Sequence, residues 1–241
     1  MRAETRRQLK QDRFSQATFD AAEATVHWTV DHKTKLVVGG VILAVVLAAA
    51  FGGWYYLNMQ DQKASIELNK AVRTLDASVR PAGTPAEPEI LSFTSAKDRA
   101  TQAHKQLQTI VDTYPHTRTA EFAHYFMGLT SSQLGDKGAA ERDLKEVASS
   151  HNEDLASLAK MALANVYRDT HRTKDAIDIY NSLIAKPTRS VGKASAQMEL
   201  ADTYQSSQQP ADAKRVYEQM QKENPASEVA QFATQKLQEL K

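Results

Sequence analysis

Residues 127–147 read MGLTSSQLGDKGAAERDLKEV, residues 163–183 read LANVYRDTHRTKDAIDIYNSL, and residues 200–220 read LADTYQSSQQPADAKRVYEQM. Set under one another, they are one pattern written three times. A small residue recurs at Gly128, Ala164 and Ala201, 36 and 37 residues apart. Twelve residues further on stand Ala140, Ala176 and Ala213, and four beyond those Leu144, Tyr180 and Tyr217. Val147, Leu183 and Met220 follow. Such spacings mark helix faces, and Asp136-Lys137, Arg172-Thr173 and Gln209-Pro210 divide each unit in two. Pro210 suits a first helical turn, where its missing N–H is not needed. Each unit therefore reads as a pair of helices. Small residues let two backbones approach, and larger ones fill the space between successive helices.

This pattern resembles the tetratricopeptide repeat, whose period is about 34 residues. The likeness runs over about residues 97–241. An apolar residue precedes the small one (Met127, Leu163, Leu200), and an aromatic follows at Tyr167 and Tyr204, with Ser131 departing. The tryptophan of the early position is replaced by His124, Lys160 and Gln197. A half repeat comes first: Ala103, Leu107 and Ile110 lead to Tyr114-Pro115, as a second helix leads to a closing proline. Pro225 has that place in the last repeat, and Pro187 lies near it in the middle one. The expected units are 97–116, 117–152, 153–188 and 190–225. A final helix over 226–241, with Val229, Phe232, Ala233, Leu237 and Leu240, covers the end of the stack. The expected fold is all-α: a tetratricopeptide-like helical solenoid with one N-terminal transmembrane helix.

That membrane helix is residues 36–57, LVVGGVILAVVLAAAFGGWYYL, 22 residues without a charge. At about 1.5 Å per residue they reach roughly 33 Å, enough for a hydrocarbon layer of about 30 Å. Trp54, Tyr55 and Tyr56 close the run where amphipathic rings favour the lipid–water boundary. The preceding 35 residues are far longer than the charged start of a signal peptide, so the reading is an uncleaved anchor. The tail, residues 1–35, carries Arg2, Arg6, Arg7, Lys10, Arg13, Lys33 and Lys35, which places it in the cytoplasm and the C-terminal part in the periplasm. Phe14, Phe19, Ala22, Val26 and Trp28 make a weakly apolar face in that tail; a helix on the membrane surface and a start without order are both open.

After the anchor, residues 58–80 read as a stalk helix, with apolar positions at Ile66, Leu68, Ala71, Val72, Leu75 and Val79. Residues 81–96 are a proline-rich linker, in which Ile90, Leu91 and Phe93 are expected to dock on the distal domain.

Composition narrows the function. Thirty basic and 29 acidic residues give a net charge of +1, which offers no footprint for nucleic acid. With no cysteine, disulfides and thiolate metal sites are excluded. No phosphate-binding, dinucleotide, zinc-protease or nucleophile-elbow motif occurs, so no enzyme, cofactor or small-molecule substrate is expected. Glu121 and His124 have the spacing of half a carboxylate metal site, but the second half is missing. Binding is then the expected work, on the groove lined by the first helix of each repeat. Phe122, Tyr125, Leu129 and Ser132 fall there from one repeat. Leu158, Met161, Asn165 and Arg168 come from the next, and Ser195, Met198, Asp202 and Gln205 from the third. Aromatic and methionine side chains suit adaptable apolar contact with a peptide. The other reading of these residues is packing against the stalk or a neighbouring repeat. Asn165 and Arg168 hint at a carboxylate clamp, but Tyr125 and Leu129 at the matching positions argue against one.

The layout also resembles the YfgM-type ancillary subunit of the SecYEG translocon. The likeness rests on Trp28, Lys33 and Lys35 before the anchor, the anchor's close at Gly53-Trp54-Tyr55-Tyr56, the stalk and the divergent repeats. The insert at 81–89 departs from the compact stalk of that family. The resemblance implies an inner-membrane protein whose periplasmic repeats meet translocon components, a membrane-anchored chaperone or emerging exported chains. A scaffold for another cell-envelope assembly, such as cell division or outer-membrane assembly, is the alternative.

Overall fold

The computed structural model describes residues 33–81, 83–85, 90–223 and 225–240. The tail residues 1–32, including the apolar face read at Phe14–Trp28, lie outside them. The chain forms two compact units, residues 1–56 and 57–241. Helix α1 (Lys33–Asp76) contributes to both. In the first unit, residues 37–56 are helical and exposed throughout, and the rings of Phe51 and Trp54 stand 5.8 Å apart.

The second unit is a stack of helix pairs. After α1 come α2 (Ala96–Thr113), α3 (Arg118–Leu134), α4 (Lys137–Ala148), α5 (Glu153–Asp169), α6 (Thr173–Ala185), α7 (Lys193–Ser206), α8 (Pro210–Glu223) and α9 (Glu228–Glu239). From α2 onward each helix packs on the next, and α3 also touches α5. The fold is thus all-α with tetratricopeptide-like repeats, apart, among the described residues, from one short parallel pair of strands, β1 (Ser78–Val79) and β2 (Ser92–Phe93).

Helix starts follow from side chains that accept a free backbone N–H in the first turn. Ser95 accepts from Asp98 N at 3.0 Å, Thr117 from Ala120 N at 3.1 Å, Asp136 from Ala139 N at 2.9 Å and Asn152 from Leu155 N at 3.2 Å. Pro210 opens α8, as its fixed φ and missing donor favour. Lys137, Thr173 and Pro210 are first helical residues, so the turns inside the pairs are residues 135–136, 170–172 and 207–209, set back toward the first helix from the dipeptides read from sequence.

Those turns share one geometry. Gly135, His171 and Gln208 stand at φ values of 89°, 59° and 60°. The next residue in each case donates its N–H back five residues: Asp136 to Ser131 O at 2.9 Å, Arg172 to Tyr167 O and Gln209 to Tyr204 O, both at 2.8 Å. This is a Schellman ending, which satisfies orphan carbonyls and favours glycine at the left-handed position. The second and third repeats adopt it without glycine, although a Cβ there costs about 1–2 kcal/mol.

Three apolar clusters fill the stack. Leu144, Tyr167, Tyr180 and Leu183 centre the largest, and Tyr217, Met220 and Ala233 close the C-terminal end. The third joins Ala64 and Ala71 of α1 to Leu107 and Ile110 of α2 and Ala123 and Met127 of α3. Residues 57–76 therefore supply the first helix that the half repeat lacks. Asp61 reinforces this by accepting Thr119 N at 2.9 Å, at the start of α3.

Two expectations about the connection change. The helix stops at Asp76, short of Val79, because residues 78–79 pair with β2 and Arg80 N donates to Phe93 O at 2.8 Å. Arg80 also precedes a proline, which disfavours helix. Ile90 and Leu91 do not dock: both are exposed, and only Phe93, held by the strand pairing, is half-buried.

Gly128 makes the closest approach. A Cβ placed there would lie 2.6 Å from Leu144 Cγ and 2.8 Å from its Cδ2. Gly128→Ala is expected to lower stability by about 1–3 kcal/mol, with partial recovery when Leu144→Ala is added, read as a double-mutant cycle by urea unfolding.

Candidate functional site

The first helices α3, α5 and α7 run along one side of the stack. Packing of α3 on α5 sets the first step, and Arg168 Nη1 to Glu199 Oε2, at 2.9 Å, ties α5 to α7. On this side Phe122 is 37% exposed, while Tyr125 and Leu129 are half-buried. Met161, Asn165 and Arg168 on α5 and Met198 and Gln205 on α7 are half-buried, and Asp202 is exposed. Tyr125, Leu158 and Met161 lean on the central cluster and Met198 on the C-terminal one. These side chains both pack against neighbours and leave surface open.

The polar members are held from behind. Tyr180 Oη donates to Asn165 Oδ1 at 2.7 Å, and Tyr217 Oη donates to Asp202 Oδ1 at 3.1 Å. Gln205 Nε2 adds a bond of 3.3 Å to Tyr217 Oη. In the first repeat the matching pair, Leu129 and Leu144, is apolar. Burial raises both tyrosine hydroxyls above their ordinary pKa, so they remain protonated donors at neutral pH. Sequence reading assigned Tyr180 and Tyr217 to packing alone. Their match to a polar residue fifteen positions earlier, against leucine with leucine in the first repeat, is the signal that marks them as donors. With Asn165 taken by Tyr180 and Arg168 by Glu199, no free clamp forms.

Elsewhere, His124 lies between two carboxylates, Nδ1 3.3 Å from Asp143 Oδ1 and Nε2 3.7 Å from Glu146 Oε1. The hydrogen bond to Asp143 raises the imidazole pKa, burial opposes it, and the Glu146 charge adds to the rise. Glu121, read beside His124 as half a metal site, instead accepts from Ser150 Oγ at 2.6 Å. Among the described residues no three metal-ligating side chains cluster.

A family profile matches residues 27–241, nearly the whole of this architecture. The chain belongs to the tetratricopeptide repeat-like domain family. Among solved structures, this member is similar to the nearly identical TPR-like repeats of a putative kinesin light chain from Podospora anserina. That likeness has 14% sequence identity, covers 75% of this chain and 86% of that one, and gives a TM-score of 0.56. At such identity it speaks for the fold alone. A comparison with curated proteins finds no match. The family supports a protein-interaction role.

Two measurements check the site. Tyr180→Phe should lower stability by about 1 kcal/mol, and adding Asn165→Leu, which recreates the apolar pair of the first repeat, should recover most of it in urea unfolding. Because the His124 pKa is raised, its contribution to stability is complete below the ordinary histidine value and is lost as pH climbs through the raised one. Stability followed over that window should fall with pH in the parent chain and flatten in His124→Gln.

Proposed function

We propose that the protein is a membrane-tethered interaction module that acts by binding rather than by catalysis. Residues 36–57 lie in the inner membrane, residues 1–35 stay in the cytoplasm, and the stack offers the α3–α5–α7 side to protein segments in the periplasm. The observation that carries the reading is the union, in one chain, of a repeat stack with an 18-residue helical window of mean hydropathy 2.5 and no burial. In water such a surface is unfavourable, and lipid removes the penalty. Lys33 and Lys35 before the window are balanced by Lys63 and Lys70 after it, and the basic residues of the whole tail, Arg2, Arg6, Arg7, Lys10 and Arg13, support the orientation. Phe122, Met161 and Met198 give the face a soft apolar character that suits varied segments. The resemblance to the YfgM-type family makes translocon components, a membrane-anchored chaperone and emerging exported chains the partners of this reading.

A photo-reactive amino acid replacing Tyr125 or Met161 in intact bacterial cells tests it. Membrane-fraction adducts with translocon subunits or exported chains are expected. Adducts with cell-division or outer-membrane assembly proteins would move the protein to the other envelope role. Recovery of the chain in the soluble fraction without detergent would end the tether.

A further inference from the structure

The aromatic missing from each repeat leaves a hollow where it would stand. His124, Lys160 and Gln197 border pockets of about 140, 670 and 350 Å³ respectively. The polar replacement meets a different fate in each. His124 has its two carboxylates. Gln197 is 1% exposed and donates to Glu223 Oε2 at 3.1 Å, leaving its Oε1 without a partner among the described residues. Lys160, in the largest of the three, is half-buried, and its side chain has no ion pair or hydrogen bond among the described residues.

The middle pocket lies between the ends of α4 and α6 and the first turns of α5, and no residue of the α3–α5–α7 face named above lines it. Ala156 and Leu183 form part of an apolar floor, and Lys186 adds a second ammonium. The hydroxyls of the wall are already engaged: Ser149 donates to Glu146 O, Ser150 to Glu121, Ser157 to Asp154 O and Ser182 to Ile179 O, and Thr188 shares a hydrogen bond with Ser157. Glu153 also lines the pocket but pairs with neither lysine. The available donors are therefore the two ammonium groups. A half-buried ammonium without a counter-ion is unfavourable, and an incoming carboxylate relieves it. The volume is that of a site for a side chain with its flanking residues, far more than one small anion occupies.

We propose that this pocket receives an acidic side chain from an extended segment of a partner protein. Lys160 pairs with the carboxylate, and Ala156 and Leu183 cover its aliphatic stem. The site is separate from the α3–α5–α7 face and stands or falls without it.

The test uses the full-length chain in detergent micelles and end-capped, fluorescein-labelled peptides Ala-Leu-Glu-Leu-Ala and Ala-Leu-Gln-Leu-Ala, followed by anisotropy at low salt. The acidic peptide should bind about tenfold more tightly than its amide counterpart, the discrimination of one charge-assisted pair. Lys160→Gln should erase the difference, while Lys174→Gln, which removes the same charge from an exposed position, should keep it. Lys160→Trp should fill the hollow, raising the melting temperature while abolishing binding, so lost binding cannot be lost folding. Absent binding, equal binding of the two peptides, indifference to Lys160, or displacement by acetate at the peptide's own concentration would each overturn the proposal.

Discussion

The stack depends on a small residue set against a large one inside each of the three full repeats. Gly128 meets Leu144, and buried Ala164 and Ala201 share their clusters with buried Tyr180 and Tyr217. The partners scale together: the glycine pair uses leucine, and the alanine pairs use tyrosine, so both members are smaller in the first of these repeats. The tyrosines also carry hydroxyls through the layer to Asn165 and Asp202, so the contact that sets helix spacing also orders part of the candidate face.

Polar links between neighbouring pairs add to this packing. Glu141 on α4 accepts from Lys145, from Arg172 at 2.9 Å and from Tyr167 Oη at 3.2 Å, while Arg172 lies 3.9 Å from the Tyr167 ring centre. The Lys145 bond first, then Arg172, holds its carboxyl down at about 2 against the pull of partial burial. Glu223 is likewise held at about 2, by Lys193 first and then by Gln219 and Gln197. These carboxylates keep their partners well into acid. Being close to solvent, each link contributes modestly and weakens with salt.

Much of the fold was legible because the helix-pair pattern is periodic and its small positions are chemically restricted. The turns were less so. Gly135 signals a left-handed residue, whereas His171 and Gln208 adopt the same φ because the ending around them requires it, and their side chains give no sign. The end of α1 at Asp76 was hidden for another reason: Val79 fits the apolar spacing, and only pairing with the distant Phe93 takes it out of helix. The helices of the candidate face follow directly from repeat register. Arg168 with Glu199, and the tyrosine hydroxyls behind Asn165 and Asp202, needed the third dimension, since each joins residues on different helices.

Loss of the early aromatic also gives the molecule an optical division. Its two tryptophans, Trp28 and Trp54, both precede residue 57, whereas Tyr114, Tyr125, Tyr167, Tyr180, Tyr204 and Tyr217 lie in the stack. Indole emission excited at the red edge of absorption therefore follows the N-terminal portion alone, and phenol absorbance is dominated by the repeats. The unmodified chain can report the surroundings of its apolar helix and the unfolding of its stack as separate signals in one cuvette.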